Sequence, residues 1–271
     1  MRFCDISPTT YAISTQKEII KRHLKDVCSG EMFAKTKQEE PLPHFVSHKS
    51  NVMIKTGKGV DPVLQQNKVV NLNIASKAIN GIVIRPGETF SFCKLAGKAS
   101  EKRGYKAGRV IRHGRIVSDV GGGLCNLANT IHLLVLDSPL TVTEAHMHSD
   151  ALAPDHGHRV PLSAGTSVSY NYVDFRFKNE TDQSFQLNMW CDDECLHGEL
   201  RSERPIEYRY EITEDDHHFR REGEKFYRVS KIFRDVIDRQ TGELVRRELV
   251  WDNHSEVLFD YSEIPADQIR E

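Results

Sequence analysis

The run Gly-Gly-Gly-Leu-Cys-Asn at residues 121–126 is the feature that most constrains how this chain folds. Three consecutive residues without Cβ atoms let the backbone approach another group closely and point its N–H groups outward. An apolar segment follows, from about Cys125 to Asp137, and Pro139 ends it, which predicts a helix that starts at the glycines. A cysteine is therefore expected in the first turn of a helix, where the helix dipole favours a thiolate.

Periodicity and turn residues predict the other elements. A first helix is predicted at 14–29, with Thr15 and Glu18 at capping-box spacing and Gly30 as its end. A second helix is predicted at 64–80, ended by Gly81. The first helix carries an apolar stripe of Ile19, Ile20, Leu24 and Val27. Strands are predicted at 82–84, 89–92, 140–148, 168–178, 184–191, 206–213, 225–237 and 243–252.

These elements predict an α+β protein, in which a mixed sheet packs with a few helices. Residues 1–50 are expected to form an N-terminal helix and loop, the loop at 31–50, and residues 51–204 the main domain. Residues 205–271 are strongly charged and predict a β-meander, with a hairpin loop at Thr241-Gly242 and a solvated acidic turn at 214–218.

Charge and hydropathy exclude several classes of protein. The formal net charge of -2 gives no basis for a nucleic-acid-binding surface. No apolar run approaches the roughly 20 residues that span a bilayer, and the N-terminal residues show no export signal. Six cysteines in a chain of this size are then expected to be reduced thiols, which indicates a cytoplasmic protein. The sequence does not determine the oligomeric state.

The strand predicted at 140–148 would place His146 and His148 on one face, from which they could reach Cys125. A nucleophile, a candidate base and the N–H groups of Gly122 and Gly123 would then be close together, the layout of papain-type thiol enzymes. The alternative is structural: the glycines form a tight turn, and the cysteine is a buried core residue.

No cofactor is predicted, but two sets of residues could hold zinc. Cys125, His146 and His148 form a Cys-His-His set with an open position. Cys191, Cys195 and His197 could supply three ligands, although the acidic residues between the cysteines more simply predict a turn.

Several motifs, in this order, resemble those of the VanW family, which is named for an accessory protein of B-type vancomycin-resistance clusters. The resemblance covers roughly residues 50–190. The motifs are Asn71-Leu72-Asn73-Ile74-Ala75, Asn80-Gly81, Pro86-Gly87-Glu88-Thr89-Phe90-Ser91-Phe92, Gly104-Tyr105, Gly121-Gly122-Gly123-Leu124-Cys125, His146-Met147-His148-Ser149 and Asp174-Phe175-Arg176-Phe177-Lys178-Asn179-Glu180-Thr181.

The resemblance implies a link to glycopeptide resistance or cell-wall peptide metabolism. Some exported relatives look like L,D-transpeptidases, cysteine acyltransferases that act on peptidoglycan stem peptides. That activity would make Cys125 the nucleophile, His148 the leading base, His146 a second candidate, and Gly122 and Gly123 part of the oxyanion site. Asn126 stands where relatives usually have Gln, and its shorter amide could orient a base or donate to the oxyanion.

We therefore expect a cysteine-dependent acyltransferase or amidase that acts in the cytoplasm on a small peptide or cell-wall precursor. By position, Asp150, Asp155 or Asp174 could orient the histidine. The competing hypotheses are a non-enzymatic peptide- or partner-binding module and the zinc site at Cys125, His146 and His148.

Overall fold

The computed structural model describes residues 3–54, 61–112, 115–148, 150–151, 154, 161–162, 165–170 and 173–270. The α-helices are α1 (Pro8–Cys28), α2 (Pro62–Ile79), α3 (Phe92–Ala96) and α4 (Leu124–Leu136). Short 3-10 helices lie at Phe3–Asp5, Glu101–Arg103, Tyr261–Glu263 and Ala266–Gln268. The strands are β1 (His44–Val52), β2 (Ile82–Ile84), β3 (Thr89–Ser91), β4 (Ala107–Arg112), β5 (Arg115–Val120), β6 (Thr141–Glu144), β7 (Asp150–Ala151), β8 (Arg176–Lys178), β9 (Phe185–Cys191), β10 (Cys195–Ser202), β11 (Tyr208–Glu222), β12 (Lys225–Asp238), β13 (Leu244–Val257) and β14 (Ile269–Arg270).

In the part of the chain that the structure describes, the strands form four sheets. The antiparallel sheet β1-β10-β9-β2 has four strands, and smaller sheets are β3-β8-β6 and the hairpin β4-β5. The five-stranded sheet β14-β11-β12-β13-β7 is mixed, since β14 and β7 pair in parallel with β11 and β13. The chain is an α+β protein, as its sequence predicts, and its C-terminal part is a meander.

The main core lies between helices α2 and α4 and the β1-β10-β9-β2 sheet. Leu72 and Ile79 of α2, Leu127 and Ile131 of α4, and Leu187 of β9 are fully buried in one apolar cluster. Burying a side chain of this size stabilises the fold by about 1.5–3 kcal/mol. Helix α4, which carries Cys125, is therefore fixed along its length.

Several predicted ends are confirmed because glycine marks them. Helix α2 ends before Gly81, which has a φ of 77°, and the turn before β3 places Gly87 at a φ of 79° with a hydrogen bond from Glu88 N–H to Arg85 O. Gly242, in the hairpin loop between β12 and β13, also has a positive φ.

The first helix differs from its prediction. Helix α1 begins six residues earlier, where the Ser7 and Thr10 side chains form the capping box, so Thr15 lies inside the helix. The predicted stripe is not a buried face: Ile19 is buried, but Ile20, Leu24 and Val27 are exposed. Ion pairs dock the helix instead, as the site geometry below describes.

Four predictions about strands are wrong. The loop expected at 31–50 contains most of β1, which pairs with β10, so the division at residue 50 stays a prediction. Of the described residues in the strand expected at 168–178, Arg176–Lys178 form β8 and the others form no strand. The strand expected at 140–148 ends at Glu144. The acidic turn expected at 214–218 lies within β11, where a bulge places Asp216 at a φ of 57°.

Within the described part of the chain, no helix is long and apolar enough to cross a membrane.

Candidate functional site

At each position of the glycine run 121–123, a different steric constraint requires glycine. Gly121 and Gly123 have φ angles of 89° and 103°, which residues with a Cβ rarely adopt. At Gly122, a Cβ would lie 2.3–2.6 Å from the backbone of Gly108 and Arg109 in β4. The run therefore turns the chain, passes tightly against the β4-β5 hairpin and forms the N-cap of α4.

Asn71 of α2 holds this loop from the core side. Its buried amide nitrogen donates to Gly122 O (2.9 Å) and Lys106 O (3.0 Å), and its oxygen accepts from Lys106 N–H (2.8 Å). None of the hydrogen bonds among the described residues uses the N–H groups of Gly122 or Gly123. Gly122 and Gly123 precede Cys125 by three and two residues, so both donors are close to it in the chain.

Cys125 is the second residue of α4, as predicted, but its environment differs from the prediction. Its sulfur lies 3.9 Å from Val168 O and is close to the Ser167 side chain. Burial raises the pKa of the Cys125 thiol, whereas the helix dipole alone would favour the thiolate. A raised pKa favours the neutral thiol over the thiolate at neutral pH.

One face of α4 contacts Leu162 and residues 165–168, which pack beside Cys125. Asn129 Nδ2 donates to Leu162 O (3.2 Å), and His132 Nδ1 lies 2.8 Å from Thr166 Oγ1. These residues follow Cys125 at four- and seven-residue spacing, so they share its face. Burial, with a smaller effect of Arg234, lowers the pKa of His132 to about 4.

Residues 146–148, which include both histidines, pair with residues 165–167. Ser167 N–H donates to His146 O (2.6 Å), and His148 N–H donates to Gly165 O (3.2 Å). The backbone of residues 146–148 therefore lies beside residues 165–168, which contact Cys125. No hydrogen bond or ring contact among the described residues joins either imidazole to the thiol.

His146 and His148 have different electrostatic environments. His146 Nε2 lies 3.0 Å from Glu144 Oε1, and its side chain is exposed. Burial opposes ionisation of Glu144, but hydrogen bonds from His146, Arg22 and the Asp174 N–H lower its pKa to about 2. Burial lowers the pKa of His148, and the negative charge of Asp150 offsets part of this decrease. The lowered pKa favours the neutral, proton-accepting form of the His148 imidazole.

The three candidate orienting residues have different positions. Asp150 is near enough to His148 to affect its pKa. Asp174 is fully buried and accepts hydrogen bonds from Ser91 Oγ, Cys93 N–H and Arg176 Nε, which makes it a structural residue. Asp155 lies outside the described residues.

Asn126 is placed at the same helix start. Its N–H donates to Gly123 O (2.9 Å), but its buried Oδ1 makes no hydrogen bond within the described part of the chain, and neither does Asn129 Oδ1. Unpaired buried amide oxygens are costly. A ligand with hydrogen-bond donors would relieve that cost.

Neither predicted zinc set is assembled. Among the described residues, the only group of three or more His, Cys, Asp or Glu side chains whose ligand atoms gather within 4.8 Å is Asp192, Cys195 and His197. Cys125, His146 and His148 do not form such a group. In the second predicted set, Asp192 takes the place of Cys191.

Sequence reasoning missed the ionic groups that dock α1 beside the histidines. Arg22 forms a bidentate pair with Glu144, and Asp26 forms one with Arg176 (2.7 and 3.0 Å). Lys94 also pairs with Asp26 (2.9 Å). The alternation of Glu144 with His146 is a visible signal, but no local pattern points to Arg22, which is 122 residues away from its partner.

Comparisons with known proteins agree with the motifs. Residues 67–201 match the family model described as VanW like protein. The chain is 28% identical over 234 residues, 86% of its length, to the Vancomycin B-type resistance protein VanW of Enterococcus faecalis (strain ATCC 700802 / V583), of which the match covers 85%. It is 32% identical over 113 residues, 42% of its length, to the Uncharacterized protein YoaR of Bacillus subtilis (strain 168), of which the match covers 36%. No solved structure matches the chain. On the family model and the near full-length relative, the chain belongs to the VanW family.

Proposed function

We propose that this protein is a cysteine-dependent acyltransferase or amidase, linked to glycopeptide resistance, that acts on a cell-wall peptide or its precursor. The observation that carries the proposal is the start of α4. There Cys125 lies two residues after a loop in which the N–H groups of Gly122 and Gly123 have no protein partner among the described residues. The name of the Enterococcus relative supports the link to resistance.

The shifted pKa values favour a neutral Cys125 and a neutral His148 at rest. In the proposed reaction, His148 takes the thiol proton while the sulfur attacks an amide carbonyl, and the two glycine N–H groups stabilise the oxyanion. The C–N bond then breaks, the leaving amine receives the proton, and a second amine or water resolves the thioester. This mechanism requires the His148 ring to approach the thiol when substrate binds, and Asp150 is the proposed orienting residue.

The proposal includes no cofactor, and it places the reaction in the cytoplasm. All six cysteines carry thiols rather than disulfides, which suits a reducing compartment.

The test is acyl-enzyme formation on a synthetic peptidoglycan stem pentapeptide, followed by intact-protein mass spectrometry and chromatography of the products. Wild type and Cys28→Ser, a control at an exposed thiol, should give the adduct and product, and Cys125→Ala should give neither. His148→Gln should slow product formation by about 10²–10⁴-fold. Turnover that is unchanged in Cys125→Ala would overturn the proposal.

Burial of the Cys125 thiol favours a second candidate, a peptide-binding module without catalysis. The unpaired Asn126 and Asn129 oxygens would then accept hydrogen bonds from the peptide. This candidate predicts calorimetric binding of the same pentapeptide by wild type and Cys125→Ala alike, with no product from either.

A further inference from the structure

The turn between β9 and β10 holds a group of three ligand-type side chains that the acyl-transfer proposal does not use. Asp192 N–H donates to Cys195 O (3.0 Å) and closes the turn. Asp192 Oδ1 accepts from the Glu194 and Cys195 N–H groups (2.8 and 2.6 Å). These bonds fix the carboxylate, so that its second oxygen, Oδ2, faces His197 Nε2 at 2.7 Å.

We propose that Asp192, Cys195 and His197 form a binding site for a divalent transition-metal ion of the zinc class. The carboxylate oxygen, the sulfur and an imidazole nitrogen lie within 4.8 Å of one another. Zinc binds these three ligand types at about 2.0–2.3 Å, so two ligands on one ion lie roughly 3–4 Å apart, and the hydrogen-bonded Asp192 and His197 side chains would separate slightly to admit it. Three protein ligands leave a fourth position for water or for a group from a bound molecule.

The His197 ring is held from the side opposite the carboxylate. Its Nδ1 lies 3.3 Å from Nε2 of His48 on the neighbouring strand β1. Its plane stacks on Trp190, with ring centroids 5.2 Å apart and an interplanar angle of 10°. Metal-binding histidines commonly use their second nitrogen in this way, because the outer contact fixes the orientation of the ring. His48 is therefore a positioning residue for the site.

The arrangement of the hairpin separates its two cysteines. Cys195 and His197 lie two residues apart in β10 and share the less buried face, while Leu196 between them is fully buried. Cys191 is the cross-strand partner of Leu196, and its sulfur lies 4.0 Å from Ser76 Oγ on α2. Cys191 thus faces the helix side of the sheet and provides a matched control thiol.

The test is a titration of the full chain with Co²⁺, after treatment with chelator and reductant. Cobalt reports thiolate coordination by a ligand-to-metal charge-transfer absorption and four-coordinate geometry by its d–d bands. Wild type and Cys191→Ser should each bind one equivalent with both signals, and Zn²⁺ should displace the cobalt. Cys195→Ser should lose the charge-transfer band, and His48→Gln should weaken binding by about 10–100-fold.

Circular dichroism of each variant separates loss of ligands from loss of fold. If folded Cys195→Ser keeps the charge-transfer band, the sulfur ligand is another cysteine and the proposal fails. It also fails if wild type binds no stoichiometric cobalt, or if folded His197→Ala and wild type bind cobalt equally. Because the site shares no residue with the acyl-transfer proposal, neither test decides the other.

Discussion

His132 links the face of α4 that carries Cys125 to the pH dependence of stability. The side chain is buried, hydrogen-bonded to Thr166, and has a pKa of about 4 against an ordinary value of 6.5. Between these two pH values the unfolded chain binds a proton that the folded chain does not. The free energy of unfolding therefore falls as the pH decreases from 6.5 towards 4, by up to about 3 kcal/mol.

We expect His132→Gln to remove most of this fall, although the variant is less stable than wild type at pH 7. Urea unfolding at intervals between pH 4 and pH 7.5 measures the effect. His23→Gln, at an exposed position on α1, is the control and should follow the wild-type curve. A wild-type slope that persists in His132→Gln would assign the pH dependence to other groups.

The candidate site shows which residue properties the sequence could predict. The position of Cys125 followed from the glycines, since backbone conformation is a local property. The ionisation of its thiol did not, because the residues that bury it lie more than 40 positions later. The grouping of Asp192 with Cys195 and His197 was missed for a related reason: the turn selects a carboxylate where spacing suggested a second thiol.

At the scale of elements, α1 is held by charge rather than by an apolar stripe. Arg176 and Asp26 are both buried and form a bidentate pair, and Arg22 pairs with Glu144. Buried pairs of this kind fix position because each charge is costly without its partner. Ile19 is the residue of the predicted stripe that is buried.

A pair of substitutions on α1 tests this account. Ile19→Ala should lower the free energy of unfolding by about 2–4 kcal/mol, since it removes buried apolar volume. Val27→Ala, on the same helix at 82% exposure, should change it by less than about 0.5 kcal/mol. Urea denaturation of both variants gives the comparison, and equal losses would show that the predicted stripe is buried after all.

Element prediction succeeded where glycines and proline mark the ends, as in α2 and α4, and in the β12–β13 hairpin. It failed where tertiary contacts decide. Strand β11 continues through an acidic segment because its bulge turns Asp215 and Asp216 towards Arg247 and Arg270. Strand β1 forms because β10, 143 to 158 residues later at the paired positions, supplies its partner.

At the scale of the whole molecule, the C-terminal sheet is packed against the helix that carries Cys125. Leu136 at the end of α4, Leu162 and Ile232 of β12 form one buried cluster. Arg234 of β12 donates to Ser138 O and Leu140 O just beyond the helix (3.1 and 3.3 Å). These contacts join the five-stranded sheet to the main core, so we expect one cooperative folding unit.

The two tryptophans allow this to be measured, because Trp190 lies in β9 of the main sheet and Trp251 in β13 of the C-terminal sheet. Trp190→Phe and Trp251→Phe each leave one fluorescent reporter. If the molecule unfolds as one unit, adding Ile232→Ala should shift the urea midpoint by a similar amount in the Trp190→Phe protein and in the Trp251→Phe protein. This corresponds to about 2–5 kcal/mol, since Ile232 is fully buried. A shift seen by Trp251 but not by Trp190 would mean that the C-terminal sheet unfolds separately, and that its contacts with α4 do not stabilise the helix carrying Cys125.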